Sequence, residues 1–253
     1  MRILLTNDDG PFGPGLLPLR NALAQLGEVQ VVCPDRERSG AGHAITVLAP
    51  LRRGGAVLAD GSRASILSGT PADCVKFALL HRENGPFDLV VSGINTGINA
   101  GPDLFYSGTV AAAIEAALLD HRGVAFSTSP ANCDRMDRVA AHALEVVDIL
   151  LQEDLTAPWA ANVNVPPLGQ RPPTVRFTRQ GQGFASGDIT LAKGTRGRIH
   201  YWLDAPVGAP QVPEDSDIAV LGAGDISVTP LRVDLTDEAA LRALTAAGRR
   251  ADG

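Results

Sequence analysis

Two adjacent carboxylates, Asp8 and Asp9, end a short apolar run and are closed by Gly10. Such a pair repels itself unless a positive charge sits between or beside it. In an extended strand the two side chains point to opposite faces, whereas a turn beginning at Asp8 can bring one oxygen from each toward a common ion. Hard oxygen donors suit Mg²⁺ or Mn²⁺, and Ca²⁺ less specifically. The plain alternative is a solvated turn with one helix-capping Asp. A second group of chemically able residues is Pro34-Asp35-Arg36-Glu37-Arg38-Ser39-Gly40-Ala41-Gly42-His43. Ser39 offers a neutral oxygen ligand, Gly40 and Gly42 let backbone approach a bound group, and Arg36 and Arg38 attract phosphate. It reads equally as a surface loop whose charges pair internally, and His43 suits either a general acid or a structural, solvated role.

A third group, residues 92–101, carries Gly93, Gly97 and Gly101 with Asn95 and Asn99. Asn95 can give a carbonyl oxygen to a metal, and Asn99 with nearby backbone N–H groups can bind phosphate oxygens. A glycine-rich connection with asparagines at positive φ is the alternative. Ser107-Gly108-Thr109 opens an Ala-rich segment, and the N–H groups of a helix start form a ready anion site. Simple N-capping by Ser107 or Thr109 uses the same groups.

The elements that must position these residues alternate. Apolar runs at 3–6, 29–33, 89–91, 124–127 and 162–165 read as buried strands, and 16–26, 71–81, 109–119 and 135–151 as helices. Thr70 followed by Pro71 is a helix start. This is the pattern of an α/β, Rossmann-like, doubly wound and mostly parallel sheet. Ligands of such sheets bind beyond the carboxyl ends of the strands, so the loops at 7–10, 34–40 and 92–99 should meet on one edge. After Pro166 the texture changes. Pro166-Pro167, Pro172-Pro173 and the glycines at 181, 183, 187, 194 and 197 break the chain, with short β-like runs at 175–178, 199–203 and 226–229. The expected division is a catalytic core over 1–165 and an irregular, hairpin-rich region over 166–253 with a helical tail from about 237, frayed at its end.

Composition narrows the function. The 253 residues are 45 % hydrophobic but only 4 % aromatic, which suits an aliphatic core under a parallel sheet. A net charge of −6 disfavours a groove for long nucleic acid but leaves room for a small anion neutralised by one cation. Three cysteines, none in a C-x-x-C pair, read as reduced, buried thiols in a cytoplasmic protein. No run approaches the roughly 18 apolar residues a membrane helix needs, and the N-terminus reads as a strand rather than a secretory signal.

Taken in order, the strings LLTNDDG, PDRERSGAGHAIT, SGTPADCV, VVSGINTGINAG and YSGTVAAAIEAAL closely resemble the SurE family, the stationary-phase survival proteins with 5′/3′-nucleotidase activity. The resemblance continues through NVNVP, TRQG and SVTPLRVDLT, over roughly residues 1–237. It implies a hydrolase acting on nucleoside 5′- and 3′-monophosphates, and on short polyphosphate, with one divalent metal ion per subunit (Mg²⁺ or Mn²⁺) at Asp8, Asp9, Ser39 and Asn95. It also implies a C-terminal region that exchanges elements between subunits, giving a homodimer or homotetramer. The chain departs from the family pattern near residues 213–217 and at Asp225, where an aromatic is usual.

The expected mechanism is attack of a metal-activated water on phosphorus. Asp8, Asp9 and Asn95 would be the catalytic residues, with Asp9 the candidate base. Ser39, Gly40, Asn99, Ser107, Gly108 and Thr109 would bind the phosphate. Other chemistries fit less well. An aspartyl-phosphate phosphatase wants Asp-x-Asp, a Ser nucleophile wants G-x-S-x-G, and a receiver module wants an Asp where Ser92-Gly93 stands. The loop at 10–15 lacks G-x-G-x-x-G, and its two prolines remove N–H donors.

Overall fold

The computed structural model describes residues 1–81, 85–153, 155–182, 189–193, 199–203 and 212–246. Among them, nine strands form one sheet in the order β3-β4-β2-β1-β5-β6-β7-β11-β8. The strands are β1 (Arg2–Thr6), β2 (Glu28–Pro34), β3 (Arg53–Val57), β4 (Arg63–Leu67), β5 (Leu89–Thr96), β6 (Arg122–Thr128), β7 (Trp159–Val165), β8 (Val175–Phe177) and β11 (Ile226–Leu231). From β4 to β7 all neighbours are parallel. β3 closes one edge antiparallel to β4, and β11 lies antiparallel to β7. β9 (Ile189–Lys193) and β10 (Ile199–Leu203) form a separate antiparallel pair.

The period of two along β1 sorts its side chains between the layers. Ile3 and Leu5 face one cluster, packed with Leu16, Leu19 and Leu23 of α1 (Leu16–Leu23) and Val139 and Val146 of α4 (Met136–Gln152). Leu4 faces the other, with Val75 of α2 (Pro71–Leu80) and Ala112 and Ala116 of α3 (Gly108–Leu118). The small side chains of α3 let it lie close on the sheet. A β-carbon on Gly123 would strike the carbonyl oxygen of Ala113.

The expected strands and helices of the first 165 residues are present, with three differences. β3 and β4 carry no strand signal in the sequence, because Arg53-Gly54-Gly55 and Arg63-Ala64-Ser65 lack an apolar run. Helix α1 stops at Leu23, a turn short of Gly27. Strand β5 runs on through Thr96, so Ser92 to Asn95 are strand rather than loop. In the C-terminal third, β8 and β11 extend the main sheet, α5 (Asp217–Gly222) was not foreseen, and α6 (Glu238–Ala246) forms the helical tail. Gly183, Gly187, Gly194, Gly197 and the end of the tail beyond 246 lie outside the described residues. Cys33 and Cys74 are buried free thiols, whereas Cys133 is exposed. Among the described residues no helix is long and apolar enough to cross a membrane.

Helix α2 begins with a full capping box. The Thr70 hydroxyl accepts from the Asp73 N–H at 3.1 Å, and the Asp73 carboxylate accepts from the Thr70 N–H at 2.9 Å. Asp73 also accepts the Thr46 N–H (2.8 Å) and hydroxyl (2.7 Å), which ties the loop after His43 to the helix. Burial works to raise the Asp73 pKa, but the Thr46 and Thr70 hydrogen bonds outweigh it and hold the group below its ordinary 3.8. A depressed carboxylate stabilises the fold at pH values above the unfolded pKa and loses that contribution as pH falls through the folded one. Asp73→Asn is therefore expected to cost about 1–3 kcal/mol at pH 7. Thermal melts should show the gap to wild type closing below about pH 4.

Candidate active site

The strand order brings the three polar loops together. β2, β1 and β5 are adjacent and parallel, so the residues after Pro34, Thr6 and Ser92 share the carboxyl edge of the sheet. The turn at 7–10 is held by Asn7, whose side chain accepts the Gly10 N–H (3.1 Å) and donates to the Gly10 carbonyl (2.9 Å). Gly10 sits at φ +82°. A β-carbon there would press within 3.2 Å of the Arg36 backbone, so the first and second loops touch through it.

Asp8 is 4 % exposed. Its Oδ1 accepts the Thr109 hydroxyl at 2.5 Å. Gly108 has no room for a side chain, since its β-carbon would lie 3.2 Å from that of Asp8 and 3.1 Å from Cγ of Pro71. The first turn of α3 is thus packed directly on the end of β1. Burial raises the Asp8 pKa, and the Thr109 hydroxyl and N–H oppose the rise. Asp9 has less help. Burial, then the charges of Asp8 and Glu37, push its carboxyl up to about 6. Its Oδ2 is buried and has no hydrogen-bond partner among the described residues.

Arg38 donates its N–H to the Asp8 carbonyl at 2.7 Å, which docks the second loop on the first. Ser39 is exposed and donates to Glu37 at 2.8 Å. Gly40 follows at φ +71° with open space around it. The β5–β6 register shifts between Ser92 and Asn95, an irregularity that re-aims the end of the strand. The Asn95 amide donates to the Gly97 carbonyl at 2.8 Å, leaving its carbonyl oxygen available. Asn99 is engaged through its side-chain N–H, its backbone N–H and its backbone carbonyl. Its side chain donates to Ser127 (2.8 Å), its N–H to Asn164 (2.8 Å), and its carbonyl accepts from Asn162 (2.7 Å) and Asn164 (3.1 Å). Ser107 is buried and caps α3 by accepting the Val110 N–H at 3.1 Å.

An oxygen-seeking cation fits this arrangement. A buried carboxylate oxygen without a donor, beside a second buried carboxylate, is an uncompensated negative site. Among the described residues no three or more His, Cys, Asp or Glu side chains converge as a metal cage. A cation held there would need neutral oxygens beside the two carboxylates, a donor set that suits a hard ion.

The family model described as "Survival protein SurE" matches residues 3–186. The chain belongs to the SurE family. A protein named 5′-nucleotidase SurE from Desulforudis audaxviator (strain MP104C) is 44 % identical over 252 residues, covering 96 % of each chain. Another of that name, from Chloroflexus aggregans (strain MD-66 / DSM 9485), is 42 % identical over 241 residues, covering 93 % of this chain and 94 % of its own. The crystal structure of the SurE protein from Aquifex aeolicus superposes with a TM-score of 0.82 at 34 % identity, over 98 % of this chain and all of that one.

In this SurE chain several residues that shape the site carry little signal in the sequence. Asn162 and Asn164 are fully buried beneath Asn99; their signal was the alternation Asn-Val-Asn-Val, which puts two amides on one face of a strand otherwise apolar. Asp217 is also fully buried, and its carboxylate accepts the N–H groups of Gly101, Gly181 and Ile218, each at 2.8 Å. Glu37 adds a third carboxylate within electrostatic reach of Asp8 and Asp9.

The raised Asp9 carboxyl has a consequence for the metal-free chain. A carboxylate whose folded pKa lies above its unfolded value destabilises the fold increasingly as pH rises between the two, here from about 4 to about 6. Asp9→Asn should therefore stabilise the metal-free protein by about 1 kcal/mol at pH 7.5, after allowance for solvent screening. The advantage should vanish below pH 4. Thermal melts in EDTA across that range check both statements.

Proposed function

We propose that the chain hydrolyses nucleoside 5′- and 3′-monophosphates to nucleoside and phosphate, using one Mg²⁺ or Mn²⁺ per subunit held by Asp8, Asp9, Ser39 and Asn95. The relatives named 5′-nucleotidase SurE, similar over nearly the whole chain, support the activity. The observation that carries the site is the buried, unpartnered Asp9 Oδ2 beside Asp8, at the first turn of α3. When bound, the ion would polarise a phosphoryl oxygen and lower the pKa of a water.

The chain's own residues do the rest. Thr109 is taken up with Asp8, so it fixes the carboxylate rather than the substrate. Ser107 accepts the Val110 N–H and keeps its own proton to donate to a phosphoryl oxygen. The Gly108 N–H and the positive end of α3 face the same place. Asn99, locked by Asn162 and Asn164, orients the loop that follows Asn95. Asp9 is the candidate base. Short polyphosphate, a chain of the same phosphoryl groups, is a further substrate of this reading. Two buried free thiols support a cytoplasmic setting.

Phosphate release from a panel of nucleoside monophosphates, in EDTA and with added Mg²⁺ or Mn²⁺, tests the proposal. Metal should restore activity lost in EDTA, and Asp9→Asn should lower it at least about a hundredfold with the fold intact by circular dichroism. No release from any nucleotide under any metal would overturn the catalytic reading.

A homodimer or homotetramer built through the C-terminal third belongs to the same proposal. Helix α6 buries none of its residues, and Leu241 and Leu244 are 50 % and 58 % exposed. On the β9–β10 pair, Ile189, Leu191, Ile199, Tyr201 and Trp202 are all exposed. Apolar surface of this kind is what a second subunit would cover. Light scattering should give a dimer or larger for wild type and a smaller species for Leu241→Glu combined with Leu244→Glu. A monomeric wild type would refute it.

A further inference from the structure

We propose that His43 is the general acid that protonates the departing nucleoside oxygen, held for that task by the buried carboxylate of Glu115. The inference rests on the nucleotidase reading above. Glu115 lies on α3, two turns beyond Ser107, with its side chain 5 % exposed. Each of its oxygens has one partner. Oε1 is 3.0 Å from Lys76 Nζ and Oε2 is 2.8 Å from His43 Nε2. The hydrogen bond from His43 works against burial and, with Lys76, holds the Glu115 carboxyl below its ordinary range. An ionised carboxylate only accepts, so Nε2 must carry a hydrogen. In the imidazolium form, which carries a hydrogen on both nitrogens, the proton that can be exchanged is then the one on Nδ1, which makes no hydrogen bond among the described residues.

The backbone sets where that nitrogen can work. The Gly42 N–H donates to the Tyr106 carbonyl at 3.0 Å, pinning the residue before His43 to the residue before Ser107. His43 and Ser107 line one cleft of about 290 Å³, which runs along α3 past Leu104, Phe105, Ile114 and Leu118. A phosphate at the first turn of α3 would direct its ester oxygen into this cleft. The apolar walls and the exposed face of Phe105 suit a nucleobase. Arg232 also lines the cleft.

The proton balance is simple. The P–O bond to the nucleoside breaks and its electron pair goes to that oxygen. The oxygen takes the Nδ1 proton and leaves as a hydroxyl. Water supplies the new P–O bond and gives up a proton, and the imidazole recovers one from solvent.

The alternative is that Lys76–Glu115–His43 only clamps the loop at 34–46 onto α2 and α3. Leaving-group chemistry separates the two. A ribose alkoxide leaves poorly without a proton, whereas p-nitrophenolate leaves as a stable anion. Steady-state rates of wild type, His43→Gln and Glu115→Gln, measured on a nucleoside 5′-monophosphate and on p-nitrophenyl phosphate, test the assignment. For His43→Gln, kcat on the nucleotide should fall about a hundredfold or more, and by at least about ten times the factor lost on the nitrophenyl ester. Glu115→Gln should show the same selectivity to a smaller degree, and it decides the question if His43→Gln fails to fold. Equal losses on both esters, or no loss, would overturn the assignment. A wild-type chain inert toward both esters would instead overturn the nucleotidase reading and this assignment with it.

Discussion

A carboxylate at the buried end of a strand has to be held by donors or by a cation. Asp8 is in that position, and the Thr109 hydroxyl and N–H answer it. To do so, the first turn of α3 must sit on the end of β1, which needs Gly108 without a side chain and an alanine-rich helix that lies close to the sheet. The same packing points the positive end of α3 at the loop edge. One hydrogen bond therefore fixes the register between strand and helix. Asp9, next in the chain, is left with burial, a neighbouring charge and no donor of its own for Oδ2. The site keeps an electrostatic deficit because the donors nearby are spent on Asp8.

Much of this was legible in the chain. β1, β2, α2, α3 and α4 announce themselves by apolar period and by punctuation such as Thr70-Pro71, because their burial is local to each element. Asp8, Asp9, Ser39 and Asn95 stand out in the chain as chemically able residues, since polar residues and glycines crowd the ends of apolar runs. β3 and β4 were hidden. They form an edge hairpin with one side in solvent, and Gly54 and Gly55 erase the period that a strand normally shows. The end of β5 was hidden for a related reason. Ser92-Gly93 reads as a turn, yet both are buried and β6 pairs on either side of the irregularity, at Ser92 and at Asn95.

The roles of Asn162, Asn164, Glu115 and Lys76 were illegible for a different reason. Each acts through a partner dozens of positions away, and no spacing rule connects Lys76 with Glu115 or Asn164 with Asn99. Asp225, which departs from the family pattern, has its own local logic. It accepts from Arg171 at 2.8 Å and from the Thr174 N–H at 3.0 Å, fixing the entry to β8.

Asp217 joins parts of the chain that the early loops cannot join themselves. Its carboxylate closes on Gly101, at the end of the asparagine-bearing loop, and on Gly181, while Ile218 would collide with a β-carbon at either glycine. Every proposed ligand and phosphate contact lies before residue 110, yet the loop that follows Asn95 is braced from more than a hundred positions later. A truncated chain ending before 212 would keep every reactive group and lose the brace behind them. Anything that tugs on the C-terminal third, including contact with a second subunit, has a mechanical line to the reaction centre through that one side chain.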